Sequence, residues 1–333
     1  MNTPKMQSRV ARDRESPVNG GPPEPRPVGI EAAATAPVAR GGAAARAALV
    51  VVWSSGFISG TLGLRHAAPF TFACLRFVIA GGLLLAIALA RGVRLPRGRP
   101  LFHLAVAGVL VQGLQFSSIY VGMDLGVPSG VAALVIALYP LVASLIAVPV
   151  LGEHITRGQV LGLALGLGGV VLAVWDRLHV GGGHLAGIAF LFLGLLGISA
   201  GTVWQKLHCQ GMEPVSGNAV QLIAAAAATL VPALLAEGFD VTFAAGFWPV
   251  LLWAALINSI VGVGLLYHLL QRDGTSQVSS LFYLVPMVTA AFAAVLLHQD
   301  LGPLTLGGLA LATGGTLLAN RIGHGARRSS GSG

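Results

Sequence analysis

From residue 47 onward, long apolar runs alternate with short polar breaks. The runs fall at roughly 47–64, 68–90, 101–121, 127–150, 158–175, 185–205, 215–236, 247–270, 276–297 and 303–320. Each is close to the roughly 20 mostly apolar residues that cross a bilayer as an α-helix. The pattern predicts an all-α polytopic membrane protein with ten transmembrane helices. Residues 1–45 are different material, rich in Pro, Gly, Ala and Arg and without periodicity, and are expected to form a disordered basic tail. They lack the compact order of a cleavable signal, so the first span is expected to act as an uncleaved insertion signal. Residues 322–333 form a second short tail.

Composition agrees with a lipid environment. Hydrophobic residues make up 55% of the chain and charged residues 10%, with a mean hydropathy of +0.79. Soluble domains carry about 25% charged residues, so too few charges are present here to build a water-facing surface. The two cysteines, Cys74 inside a span and Cys209 in a loop, offer no disulfide framework. The net charge of +8 changes the picture only through its placement. Seventeen of the 20 basic residues lie in the tails or in loops after even-numbered spans, among them Arg91, Arg94, Arg157, Lys206 and Arg272. Only Arg65 and Arg177 fall on the opposite side. Basic loops stay cytoplasmic, which predicts that both termini are cytoplasmic. A nucleic-acid partner is not expected, because no folded domain gathers these charges.

An internal repeat comes next. Residues 126–173 can be laid without gaps on 272–319 at an offset of 146, pairing Pro140 with Pro286, Gly162 with Gly308, and Gly168-Gly169 with Gly314-Gly315. Pro69 falls opposite Pro214 at 145, and GFISGTLGLR at 56–65 resembles GISAGTVWQK at 197–206 at 141. The boundaries read as 46–176 for the first repeat and 184–321 for the second. Each holds five spans. Five is odd, so the second copy must enter the bilayer inverted, which is a transporter architecture with its site near the midplane.

WSSGF at 53–57, Pro69 leading to Leu75-Arg76-Phe77, Pro140, LGE at 151–153 and a glycine-rich fifth helix together resemble the drug/metabolite transporter superfamily, EamA type. The resemblance covers about 47–320 and recurs in the second repeat. It implies a bacterial inner-membrane carrier without cofactors, often an exporter of amino acids, metabolites or toxic compounds. Within transport, a drug or nucleotide-sugar-type carrier is the alternative. One departure is that Gln299 stands in the second repeat where Glu153 stands in the first.

Candidate chemistry begins with Arg76, a cation about 10 Å into the second span at 1.5 Å per residue. Central burial of Arg costs about 2.5–3.5 kcal/mol on insertion scales. Either it snorkels or pins a helix through backbone carbonyls, or it faces a cavity and attracts a carboxylate or phosphate, which Arg grips bidentately. Its repeat partner is Gln221. Gln112 and Gln115 share one helical face, as do Asn218 and Gln221. Trp53, Trp204, Tyr139, Tyr267, His268 and Tyr283 complete a mixed aromatic and amide set along the expected substrate pathway. For each of these alone interhelical hydrogen bonding is the stronger reading, and Trp53 equally suits an ordinary packing or interface role. The acids all fall in the tail or at span ends, leaving only His268, and less so His103, to relay protons. Facilitated movement, exchange or His-mediated coupling is therefore expected. Glu153 suits a helix cap. Gly162, Gly166 and Gly308 suit close helix packing, either within one chain or at a homodimer face.

Catalysis is the reading from a different class. GISAG at 197–201 matches a nucleophile elbow around Ser199, but that elbow needs a strand-to-helix turn and this copy lies in a span. The sequence contains no HExxH, cysteine cluster or Walker loop. No enzyme activity and no metal are expected.

Overall fold

In the computed structural model, residues 40–151, 157–175, 182–273, 275–300 and 302–315 are described. The tails up to residue 39 and beyond 315, Gly152 and Glu153 of the LGE motif, and Arg177 lie outside the described residues. The ten apolar runs appear as ten helical spans. They are α1 (Arg40–Gly63), α2 (Pro69–Ala90), α3 (Arg99–Asp124), α4 (Ser129–Ile136 and Tyr139–Leu151), α5 (Arg157–Val174), α6 (Gly182–His208), α7 (Pro214–Leu235), α8 (Phe247–Asp273), α9 (Thr275–Leu281 and Val285–Leu297) and α10 (303–315). Eight of these are long and apolar enough to cross a membrane unaided. Among the described residues the only strand-like pairing is one bridge, Ala67 with Val241. The chain is a polytopic all-α membrane protein.

Breaks inside the helices obey the repeat. α4 is interrupted just before Tyr139-Pro140 and α9 just before Val285-Pro286, the same place at an offset of 146. Proline has no N–H to donate and disfavours helical geometry in the residue before it. The chain crosses each break with short bonds, Leu138 N to Val135 O and Val285 N to Phe282 O. The carbonyls of Tyr139 and Val285 then accept side chains from the first helix of the opposite half. Ser199 Oγ donates to Tyr139 O at 3.3 Å, and Ser54 Oγ donates to Val285 O at 3.2 Å. This pair of bonds sets the register of α1 on α6 at 145, correcting the 141 read from the glycine pattern. Ser54, not Ile58, is the counterpart of Ser199.

The third helix of each half also carries a wide turn at the same place. α3 is π-helical over Val109–Leu114 and α8 over Trp253–Val261. Such turns insert a residue and recur at functional sites.

Residue pairings show the halves to be inverted. Between α2 and α7, Cys74 lies against Ala226 O, and Gly81 against Leu222 and Ile223. Between α5 and α10, Gly169 meets Gly308 O, Gly162 O lies by Gly315, and Thr305 bonds Ala173 O. In both pairs residue numbers rise on one helix as they fall on the other, so equivalent helices run antiparallel. Gly162 and Gly308 thus serve packing inside one chain, and Gly166 lies against Leu138 of α4.

A clasp joins the two halves on the face that bears the α1–α2 and α7–α8 loops. Glu237 Oε1 accepts from Phe70 N at 2.9 Å, while Oε2 accepts from Thr71 N at 2.8 Å and Thr71 Oγ1 at 2.7 Å. The carboxylate caps the start of α2, whose own flanking residue, Ala68, provides no side-chain cap. At the other face, α7 is capped by its own Glu213. Burial pushes that carboxyl up, but the N–H groups of Ser216 and Val215 and the Arg91 charge outweigh this and hold it below its ordinary value.

Candidate functional site

The two halves enclose a cavity of about 360 Å3, lined from both repeats. Arg76 sits in its wall and is only 2% exposed. Its place follows from α2, which threads the centre with one side on α7 and the other on α3 and α8. Nε donates to Ser259 Oγ at 2.9 Å and Nη1 to Tyr120 Oη at 2.6 Å. The ring of Phe116 lies 4.1 Å from the guanidinium carbon, within cation–π range. No ion pair to Arg76 is present among the described residues, so neutral dipoles and a ring face are what hold it. No other charged side chain lines the cavity among the described residues.

The π turn of α8 makes this arrangement. It presents Asn258 and Ser259 together. Ser259 Oγ donates to Ala254 O at 3.1 Å while accepting from Arg76, and Asn258 Nδ2 donates to Val52 O of α1 at 2.6 Å. Gln221, the repeat partner of Arg76, also lines the cavity, accepting at Oε1 from Gln205 Nε2 at 2.9 Å. One side of the cavity is thus cationic and its counterpart is a neutral amide.

Of the pathway residues expected from sequence, Arg76, Trp53, Gln112, Gln115, Tyr139, Asn218, Gln221 and Tyr267 line this cavity. Trp204, His268 and Tyr283 do not. At the corrected register Trp53 corresponds to Ile198, which does line the cavity, while Trp204 lies tilted against His208 with centroids 4.2 Å apart near the end of α6. His268 is exposed on α8, and Tyr283 is buried in the break of α9. Sequence reasoning missed Tyr120, Phe116, Asn258 and Ser259. Asn258 carried a usable signal, being an amide inside a span like Asn218.

The cavity is closed toward the clasp. Tyr120, Phe72 and Phe247 are all buried there. Ring centroids are 5.3 Å apart for Phe72–Tyr120 and 6.4 Å for Phe72–Phe247. Glycines let α1 lie on these rings, because a Cβ on Gly60 would sit 2.6 Å from Tyr120 Cε1. In the other direction the lining continues through Gln205, Leu270 and Val278, close to the loops that end α6 and α8. Ser199 is fully buried and donates to Leu195 O at 2.6 Å inside α6, an environment unlike an exposed nucleophile.

Comparison with known proteins agrees with this architecture. The uncharacterized inner membrane transporter YedA of Escherichia coli K12 is 30% identical over 265 residues, spanning 78% of this chain and 82% of its own. A probable amino-acid metabolite efflux pump of Salmonella typhimurium is 30% identical, covering 84% and 95%. A probable terminal-alkyne amino-acid exporter of Streptantibioticus cattleyicolor is 30% identical, covering 84% and 93%. A solved crystal structure superposes with a TM-score of 0.57 at 20% identity, covering 82% of this chain and 98% of its own, which speaks to the fold. The pattern of the EamA-like transporter family matches twice, over residues 41–175 and 185–321. The chain, a multi-pass membrane transporter and not an enzyme, belongs to the EamA-like transporter family.

Proposed function

We propose that the protein exports small organic metabolites, amino acids or related amphiphiles, across the inner membrane by alternating access, with Arg76 in the substrate pathway. The observation that carries this reading is the shared cavity between inverted halves, with Tyr120, Phe72 and Phe247 packed together at one end. Its volume is at the small end of ligand sites, which run about 300–1,000 Å3. One cation and several amides favour a small amphiphile over a nucleotide sugar, whose diphosphate needs more than one cation. The names of the amino-acid exporters among its relatives support direction and substrate class. The excess of basic residues on the tails and even-numbered loops supports a reading with both termini cytoplasmic and the Gln205 end of the cavity toward that side.

Neither His103 nor His268 lines the cavity, and no carboxylate does among the described residues, which favours exchange or facilitated movement over proton coupling. Purified protein in proteoliposomes loaded with a mixture of unlabelled amino acids is expected to accumulate external labelled amino acid by counterflow. That uptake should saturate and should not change with a proton uncoupler. Non-saturating flux would point to a channel, and flux abolished by the uncoupler would reject exchange.

A further inference from the structure

Arg76 makes its hydrogen bonds through Nε and Nη1, and Nη2 has none among the described residues. A carboxylate engages a guanidinium best through two parallel N–H···O bonds. A two-bond grip therefore uses Nη2 together with Nε, at the expense of Ser259, or with the second N–H of Nη1, in which case the carboxylate competes with Tyr120 for the same nitrogen. Ser259 is anchored twice, since its hydroxyl also donates to Ala254 O in the π turn. Tyr120 Oη has Arg76 as its one hydrogen-bond partner among the described residues. Tyr120 is the partner that yields.

The Tyr120 ring is also a member of the closure. It is 1% exposed, packs against Phe72 with centroids 5.3 Å apart, and supports the backbone of α1 at Gly60. The same side chain thus touches the cation of the cavity with its hydroxyl and the shut end with its ring.

We propose that Arg76 and Tyr120 form a carboxylate-responsive latch, in which the carboxylate of a solute takes the Nη1–Nη2 edge of Arg76, displaces the Tyr120 hydroxyl and loosens the aromatic closure. The latch rests on the alternating-access reading above and adds the substrate class and the trigger. The substrate carries one carboxylate, because one cation lines the cavity, and an apolar body that packs against Trp53, Phe116 and Phe282. An ammonium group is accommodated by neutral amide oxygens, so zwitterions enter. Amines without a carboxylate have no counter-charge to meet.

Two matched pairs of probes test this on the full chain in nanodiscs: 3-phenylpropanoate against 3-phenylpropanamide, and L-phenylalanine against L-phenylalaninamide. The readout is the ratio of carboxylate to amide affinity, which a purely packing role for either residue would leave unchanged. The native protein is expected to favour the carboxylate about 10- to 100-fold, the range of hydrogen bonds to a charged group. Arg76→Gln is expected to bring the ratio near one, and Arg76→Lys, which keeps the charge but not the fork, to an intermediate value. Tyr120→Phe keeps the ring and removes the competing hydroxyl, and is expected to raise the ratio about 3- to 10-fold. Absence of any carboxylate preference in both pairs overturns the latch. So does a preference that survives Arg76→Gln, or a ratio that Tyr120→Phe leaves unchanged or lowers. Should Arg76→Gln fail to fold, Arg76→Lys and Tyr120→Phe decide the matter. Counterflow is measured alongside: no saturable exchange of any solute rejects the carrier reading, whereas exchange with no change of selectivity in Arg76→Gln rejects the latch alone.

Discussion

A cation taken out of water needs dipoles aimed at it, and Arg76 draws them from two helices, α3 and α8. Ser259 is the least replaceable of these, because its hydroxyl joins the guanidinium to the π turn of α8 through Arg76 Nε and Ala254 O. Ser259→Ala removes both bonds and leaves a buried donor and acceptor less well satisfied. Stability is expected to fall by about 1–3 kcal/mol. Binding of a carboxylate probe should weaken through the looser fork, while binding of the matched amide stays unchanged; thermal unfolding and calorimetry of the variant read the two effects separately. Arg76 itself was legible in the sequence because a charge inside an apolar run is conspicuous, and the amides Gln112, Gln115, Asn218 and Gln221 stood out for the same reason. Their partners were not. Tyr120 reads as an interface aromatic near a span end, and Ser259 as an ordinary small residue, until the wide turns in α3 and α8 set which way they face. Trp204 shows the converse error: it shares a tryptophan with α1, but a shift of four positions in register moves it off the wall.

At the level of helices, the prolines of α4 and α9 and the glycines of α5 and α10 carry most of the architecture. The prolines were readable as a repeat, but their consequence was not, namely that Tyr139 and Val285 offer carbonyls to Ser199 and Ser54 across the halves. The paired dipeptides Gly168-Gly169 and Gly314-Gly315 separate by face. A Cβ on Gly169 would lie 2.5 Å from Gly308 O and 2.7 Å from Ala312 Cβ, and one on Gly315 would lie 2.5 Å from Leu165 Cβ. On Gly168 the nearest atom is Leu311 Cδ2 at 3.8 Å, and on Gly314 nothing lies within 4 Å. Gly169→Val is expected to force α5 and α10 apart at a cost of about 1–3 kcal/mol, seen as a lower unfolding temperature. Gly168→Ala and Gly314→Ala should match or slightly exceed the native protein, since alanine favours a helix over glycine. Equal losses at all three positions would contradict the assignment of faces. The sequence could suggest close packing here but could not distinguish a homodimer face from an internal crossing, because small residues look alike in both.

For the whole molecule the decisive quantities are parity and sidedness. An even number of spans predicts that both termini share one face, and antiparallel contacts between α2 and α7 and between α5 and α10 supply the inversion that an odd repeat requires. Hydropathy was sufficient to count the spans because lipid demands long apolar helices. It could not reveal which end of the cavity is shut, since that depends on Phe72, Tyr120 and Phe247 meeting from three separate helices. Charge and closure make one joint prediction. If the basic loops are cytoplasmic, as the positive-inside rule expects, the α6–α7 and α8–α9 connections face the cytoplasm, and the cavity lining runs toward these same loops through Gln205 and Leu270. In a background with Cys74→Ala and Cys209→Ser, a single cysteine at Gln205 should react with a membrane-impermeant thiol reagent in inside-out vesicles. It should be protected in right-side-out vesicles, where Tyr120, Phe72 and Phe247 stand between the reagent and the cavity. Replacing Phe72 with Ala in that background should admit the reagent from the outer side as well. Labelling of the Gln205 site from outside with the aromatic cluster intact would mean that the basic face is not cytoplasmic or that these rings do not form the closure, and a C-terminal tag reactive only from outside would single out the first.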